Sequence, residues 1–231
     1  MKKLRVLIID DERNAREEVK NLLENYPELE IVGEAKNSDE AKELIAVKNP
    51  DLLFLDIQMP EKSGFDLLES LDKVPQVIFT TAYDQYALKA FEVSAIGYLM
   101  KPIREERFAK AMEQVKLKTF IPADERIFVK DRQQYHFISW TKVHLIESMD
   151  NYARLYFEDK NVFLKSSLNL LEQKLDEAVF FRINRAQIIN LKYIEKIIPA
   201  TDGRLKILLK TKDSVEASER QSVKLKKLMK I

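Results

Sequence analysis

The sequence predicts two folds in series: an α/β doubly wound, parallel five-stranded sheet over residues 1–118 and, after a linker at 119–125, a mostly antiparallel β domain with a few short helices over residues 126–231. Three observations carry this reading. Before Lys118, short apolar runs alternate five times with stretches of helical period, the signature of a parallel sheet covered on both faces. Beyond Lys118 that alternation stops, and β-rich runs recur about every eight to twelve residues. The formal charge changes sign at the same place, with 18 Lys+Arg against 23 Asp+Glu in residues 1–118 and 21 against 15 in residues 119–231.

In the first half the runs 4–9, 30–35, 52–55, 77–80 and 96–100 are too short for helices and read as buried strands. Between them Ala15, Val19, Leu22 and Leu23 share one helical face, as do Ala41, Leu44 and Ile45, then Phe65, Leu68 and Leu71. Asp84 introduces a helix with Ala87, Leu88 and Phe91, and Phe108, Met112 and Val115 mark the last. Pro122 breaks the chain after that helix and places the linker. Strands are then expected over 127–130, 135–140, 143–147, 152–157, 162–165, 180–183, 194–198 and 205–210, with helices over 167–175 and at the C-terminus. Ser218 and Gln221 have the spacing of a capping box at the start of the latter.

Composition removes several classes of function. The four glycines, Gly33, Gly64, Gly97 and Gly203, are too far apart for a glycine-rich phosphate loop, so a nucleotide cofactor is not expected. Zero cysteines exclude thiol catalysis and a disulfide framework, and His136 and His144 alone leave no histidine-rich metal site. No apolar run approaches the roughly 18 residues of a membrane span, and Asp10 and Asp11 end the first run too early for a signal peptide. A cytoplasmic protein without stable membrane insertion is the expectation.

In an open parallel sheet, chemistry collects beyond the carboxyl ends of the strands. The first run ends in Asp10 and Asp11, the third in Asp56, the fourth in Thr80 and Thr81, and the fifth in Lys101 before Pro102. Asp11 also stands where a first helix would be capped. Clustered carboxylates favour a divalent cation, and Mg²⁺ takes oxygen ligands and shares phosphate oxygens. Asp11 and Asp56 would ligate it with the backbone carbonyl of Gln58, and Asp10 would act through water. A carboxylate can also attack phosphorus, in which case Lys101 would neutralise a phosphoryl oxygen and Thr81 would donate a hydrogen bond to another.

Residues 3–118 resemble the CheY-like receiver domain of two-component response regulators, through Asp10-Asp11, the run Asp56-Ile57-Gln58-Met59-Pro60 followed by Gly64, Thr81-Ala82, and Tyr98 ahead of Lys101-Pro102. The resemblance implies that Asp56 is the phospho-acceptor, served by a sensor histidine kinase or a small phosphodonor, and that the Lys101-Pro102 bond is cis. It implies that Thr81 and Tyr98 form the switch, and that residues 84–118 carry the signal to a dimer partner, in a homodimer formed on phosphorylation, or to the output domain. Such a domain is not an enzyme in the usual sense, although its aspartyl phosphate hydrolyses at its own site. A haloacid-dehalogenase-type phosphatase would need a second Asp where Gln58 stands.

For the basic half, an enzyme would want a convergent acid/base set, and none is visible. The final helix, with Lys224, Lys226, Lys227 and Lys230, could lie on an anionic membrane, and a protein partner is a further alternative. Tyr152, Arg154, Lys165, Arg182, Asn184, Arg185 and Arg220 interleave cations with aromatic and polar groups, as double-stranded DNA would require. Residues 126–230 resemble the LytTR family of DNA-binding domains, through Asn151-Tyr152-Ala153-Arg154-Leu155, Ser167-Leu168 with Leu171-Glu172, Phe181-Arg182-Ile183-Asn184-Arg185-Ala186 with Ile189-Asn190, and Ser218-Glu219-Arg220. That family inserts loops into successive major grooves, so the resemblance places Ala153 and Arg154, Asn184 and Arg185, and Arg220 in three DNA-facing loops, Ala153 offering its methyl group, on an operator of direct repeats. The family often has His-Arg-Ser where Asn184-Arg185-Ala186 stands, and Arg where Glu219 stands.

Overall fold

Successive side chains of a strand point to opposite faces, so a sheet between two helical layers needs apolar residues at both odd and even positions. In the computed structural model, which describes residues 3–82, 95–119, 126–131, 134–200 and 203–230, β1 (Leu4–Ile9) meets that requirement with Val6, Leu7, Ile8 and Ile9 all buried. Contacts divide the chain into two units, Met1–Phe137 and Ile138–Ile231.

In the first unit β1, β2 (Leu29–Ala35), β3 (Leu52–Asp56), β4 (Gln76–Thr81) and β5 (Gly97–Met100) form a parallel sheet of order β2-β1-β3-β4-β5. Leu7, Ile9, Leu53, Leu55, Val77 and Phe79 face a layer made by α2 (Ser38–Lys48) and α3 (Gly64–Glu69). Val6, Ile8, Leu52, Phe54 and Ile78 face Val19 and Leu23 of α1 (Arg13–Leu23) and Phe108, Met112 and Val115 of α4 (Glu105–Thr119). Phe54 and Phe108 stack at 5.5 Å across that side. The strand order reverses between β1 and β3, which opens a crevice at their carboxyl ends.

Local signals fix the helix starts. Asn37 accepts the Glu40 amide at the head of α2, and Ser63 with Asp66 forms a reciprocal capping box at the head of α3. Asp11 does not cap α1: Glu12 holds the cap position without a side-chain bond. The Lys101-Pro102 bond is cis, as the resemblance implies. The helix expected from Asp84, and residues 120–125 of the expected linker, lie outside the described residues.

After the linker, β6 (Arg126–Asp131) and β7 (Gln134–Ser139) form a two-stranded sheet. The sequence reading groups this hairpin with the second fold, whereas its described residues as far as Phe137 fall in the first unit. A lone hairpin cannot bury its own apolar side chains. Phe128 is buried in the α3-side core instead, with Tyr135 and Phe137 packed against it, and the Arg126 carbonyl accepts the Val74 amide at 2.9 Å.

In the second unit β8 (Val143–Met149), β9 (Tyr152–Phe157), β10 (Lys160–Leu164), β11 (Phe180–Arg182) and β12 (Gln187–Asn190) make an antiparallel sheet of order β10-β9-β8-β12-β11. A second sheet joins β13 (Ile194–Pro199), β14 (Leu205–Leu209) and β15 (Ser214–Ala217). β12 and β15 go beyond the sequence expectation, because four-residue strands with only two apolar positions each give no readable run. Ser167 caps α5 (Leu168–Lys174) and Ser218 caps α6 (Glu219–Met229). The box at α6 is only half formed: the Ser218 amide is engaged by the Ile183 carbonyl, and Gln221 Oε1 has no partner among the described residues.

A Cβ on Gly64 would collide with the carbonyl oxygen of Asp56 and press on Leu55. Gly64→Ala is therefore expected to destabilise the first unit by about 1–3 kcal/mol, the range for overpacking a closed site. Urea unfolding of the two proteins measures it, and equal midpoints would show that the β3–α3 loop yields freely.

Candidate functional site

The crevice above β1 and β3 gathers the residues that end the strands. Asp10 and Asp56 are buried, Asp11 is exposed, and one carboxylate oxygen from each lies within 4.8 Å of the others. Lys101, just past the end of β5, reaches back between two of them: its Nζ is 2.7 Å from Asp56 Oδ2 and 2.8 Å from Asp10 Oδ2, with Glu12 Oε2 at 3.5 Å. Backbone amides complete the first-turn geometry, Glu12 N donating to Asp10 Oδ1 and Gln58 N to Asp56 Oδ1, each at 3.0 Å.

Electrostatics follow from burial. Loss of solvent pushes the Asp10 and Asp56 carboxyls above the ordinary carboxylate range, while the Lys101 hydrogen bond opposes the rise in both. Burial by itself would lower the Lys101 ammonium, but its bonds to Asp10 and Asp56 outweigh that and hold it above the usual lysine value. The ammonium thus favours the ionised form of both carboxylates against the burial that opposes it.

Thr81 is fully buried at the end of β4, and its carbonyl accepts the Lys101 amide at 2.8 Å. Tyr98 on β5 is half-buried, paired in register with Phe79 and packed against the α3-side core. Sequence reasoning misses one participant: Glu18 of α1 accepts the Ile103 amide at 2.9 Å and so fastens the turn that carries Lys101. Eighty-five residues separate the two, and no local pattern announces the bond.

In the second unit, three stretches are tied together by two main-chain bonds and one side-chain bond to a carbonyl. Ser148 N donates to Ala186 O at 2.8 Å, Ser218 N donates to Ile183 O at 2.9 Å, and Asn184 Nδ2 donates to Glu216 O at 2.9 Å. The β8–β9 turn, the β11–β12 turn and the start of α6 therefore form one end of the domain. Arg185 and Arg220 lie exposed there, and their side chains make no hydrogen bond or ion pair among the described residues. Asn184 shapes its own turn, accepting the Ala186 amide and donating to Gln187 Oε1. Arg182 holds the same turn from below through the Asn184 and Arg185 carbonyls, and pairs with Glu172.

Two expectations need correction. Ala153 and Arg154 lie inside β9 rather than in a loop. Ala153 is 0% exposed, because strand alternation turns it to the inner face, so its methyl group is not available to a partner. Arg154 stands on the outer face at half exposure, its guanidinium 5.0 Å from the Phe163 ring and bonded to Asn161 Oδ1 at 3.1 Å. It joins a row that includes Glu147, which accepts from Tyr156 Oη and Gln187 Nε2. The exposed positions of that turn are Met149, Asp150, Asn151 and Tyr152 instead.

Replacing Lys101 by Met leaves two buried carboxylates without their cation. Their folded-state pKa values, already raised, rise further, so the penalty is absent where both states are protonated and grows as pH climbs through the folded values. Lys101→Met is expected to cost on the order of 3 kcal/mol at pH 8 and progressively less toward pH 4, read from melting curves in metal-free buffer. A difference from wild type that does not change with pH would remove the ion-pair account.

Two family models match the chain, the response regulator receiver domain over residues 6–113 and the LytTr DNA-binding domain over residues 133–230. The sensory transduction protein LytT of Enterococcus faecalis is 33% identical over 93% of this chain and 94% of its own. LytT of Bacillus subtilis is 32% identical over 99% of this chain and 100% of its own. The transcriptional regulatory protein BtsR of Escherichia coli is 32% identical over 96% of this chain and 98% of its own. With carboxylates and a lysine on the edge of a parallel sheet, and both halves matched in order, the chain belongs to the two-component response regulators that join a receiver domain to a LytTR DNA-binding domain.

Proposed function

We propose that this response regulator accepts a phosphoryl group on Asp56 from a sensor histidine kinase or a small phosphodonor, and that the modification controls its binding to duplex DNA and hence transcription. The observation that carries the reading is the convergence of Asp10, Asp11 and Asp56 within 4.8 Å, with Lys101 Nζ bridging two of them. Three carboxylates each offering one oxygen are the hard donor set that Mg²⁺ prefers, and the Gln58 carbonyl would complete the protein's share. When bound, the cation offsets negative charge on the phosphoryl oxygens.

In the transfer, an Asp56 carboxylate oxygen attacks phosphorus, a new O–P bond forms, and the P–N bond of a phosphohistidine breaks with the imidazole leaving. The Lys101 hydrogen bond favours the anionic form of Asp56 against its burial, and the same ammonium would lie near a phosphoryl oxygen afterwards. The Thr81 hydroxyl donates to another oxygen, and Tyr98 turns inward behind it. A homodimer forms on phosphorylation through the segment 84–118, two copies read direct repeats, and the protein works in the cytoplasm.

Arg185 and Arg220 are the DNA contacts best supported by exposure, Asn184 positions the loop between them, and Arg154 steadies the adjoining sheet face. Ala153, buried, serves the core.

With Mg²⁺ present, acetyl phosphate should label the wild type and beryllofluoride should bind to it, whereas Asp56→Asn should do neither. Label retained on the Asn variant would transfer the acceptor role elsewhere.

Arg185→Ala is expected to weaken binding to a cognate duplex by about 1–3 kcal/mol and relax sequence preference where the arginine reads a guanine edge. Where it meets phosphate alone, affinity falls evenly across sequences and the log–log salt slope becomes shallower by about one. Arg220→Ala should follow one of these two patterns, and Lys160→Ala, on the far hairpin, neither. Unchanged affinity and slope in both arginine variants would remove this end of the domain as the DNA-binding surface.

A further inference from the structure

Phe65 occupies a position that the phosphorylation chemistry does not explain. It follows Gly64, whose amide donates to the Ile57 carbonyl at 2.9 Å and whose Cα lies hard against the Asp56 carbonyl oxygen. The loop from Asp56 to Gly64 is therefore closed onto the acceptor strand with no slack. On its inner side the Phe65 ring meets Phe79 edge-on at 5.2 Å, and Phe79 stands two residues before Thr81 on β4. Both the acceptor loop and the switch strand thus bear on one ring.

The other side of that ring is covered by the β6–β7 hairpin. Tyr135 stacks on Phe65 at 4.4 Å with 17° between planes, and Phe128 lies parallel to it at 5.9 Å. Phe128 in turn meets Tyr135 at 5.4 Å and Phe137 at 4.9 Å, and Lys130 Nζ sits 5.4 Å from the Tyr135 ring centre. The bond from Val74 N to Arg126 O pins the start of β6 to the segment between α3 and β4. β7 then runs on through Ile138 and Ser139, so the hairpin leads covalently into the DNA-binding domain.

We infer that the α3 face of the receiver is the docking surface for this hairpin, and that the Phe65–Tyr135 stack conveys the state of Asp56 to the DNA-binding domain. The inference rests on Asp56 being the phospho-acceptor. A phosphoryl group on Asp56 adds volume and charge where the 56–64 loop is already closed, and a change in Thr81 draws on Phe79. Packed aromatic rings shift between discrete arrangements rather than deform smoothly, so displacement of Phe65 reaches Tyr135 and Phe128. Tyr135 is no part of the carboxylate cluster, so substituting it separates coupling from the acceptor chemistry.

The test uses the full chain, beryllofluoride with Mg²⁺ as probe, and a duplex recovered by selection with the wild type. The quantity read is the ratio of DNA affinities with and without the probe, which by linkage equals the effect of DNA on probe affinity. Tyr135→Ala should bring that ratio to within about twofold of one while probe binding stays dependent on Asp56, and Tyr135→Phe, which keeps the stack, should restore it. A wild-type ratio preserved in Tyr135→Ala overturns the inference alone. A wild-type ratio of one overturns control of DNA binding by the acceptor site and the inference with it, and probe binding that survives Asp56→Asn overturns the acceptor reading itself. Should Tyr135→Ala fail to fold, hydrogen exchange in the wild type decides: amides of residues 126–131 and 134–137 change protection on probe binding, and no change overturns the inference.

Discussion

A carboxylate withdrawn from water must be paired, and the receiver half of this chain is arranged around meeting that demand twice with one lysine. Asp10 and Asp56 are each almost fully buried, and the Lys101 ammonium stands between them. For that lysine to arrive, β5 must lie at the sheet's far edge, two strands from Asp56 and three from Asp10, and the turn beyond it must fold back over the crevice. Thr81 and Glu18 hold the turn in place from β4 and α1. Strand order, turn geometry and helix placement are consequences of the need to neutralise charge on a dry sheet edge.

That same edge was the most legible part of the sequence. Strands buried on both faces read as apolar runs, and the residue that breaks each run marks where a strand surfaces. Asp10, Asp56 and Thr81 could be located in this way, and the rule that ligands collect beyond strand ends brought them together before any coordinate did. The hairpin's packing was not legible. Its aromatic residues look like those of any β strand, and the ring they need, Phe65, lies more than sixty residues earlier. The family resemblance, not the strand pattern, made Ala153 look like a surface contact: in a strand over 152–157 it shares the inner face with Leu155 and Phe157, and it is a core residue.

The two halves solve opposite electrostatic problems with different means. In the receiver, charge is buried and held by direct ion pairs. In the second unit the cations suited to a polyanion remain in water, and the buried or half-buried polar groups organise the backbone beneath them. Arg182 illustrates the division: it carries the charge expected of a DNA contact but is spent on the Asn184 and Arg185 carbonyls and on Glu172. Arg185, its neighbour in the same turn, is left to face outward. Counting arginines in such a domain overstates the contacts it can make, because some of them are scaffolding.

The main-chain bonds from Ser148 to Ala186 and from Ser218 to Ile183 have an implication for how such regulators diversify. Geometry carried by amides and carbonyls is indifferent to which side chains are displayed. Asn151, Tyr152, Arg185 and Arg220 can therefore be exchanged among descendants, or randomised in a library, without moving the surface that presents them, whereas Asp150 is held at a φ of 51°, a left-handed backbone that most side chains resist. Asn184 is a second exception, since its own amide group bridges to Glu216 and Gln187. A lineage could alter what this end of the domain displays by changing four exposed residues while the asparagine and the left-handed aspartate stay.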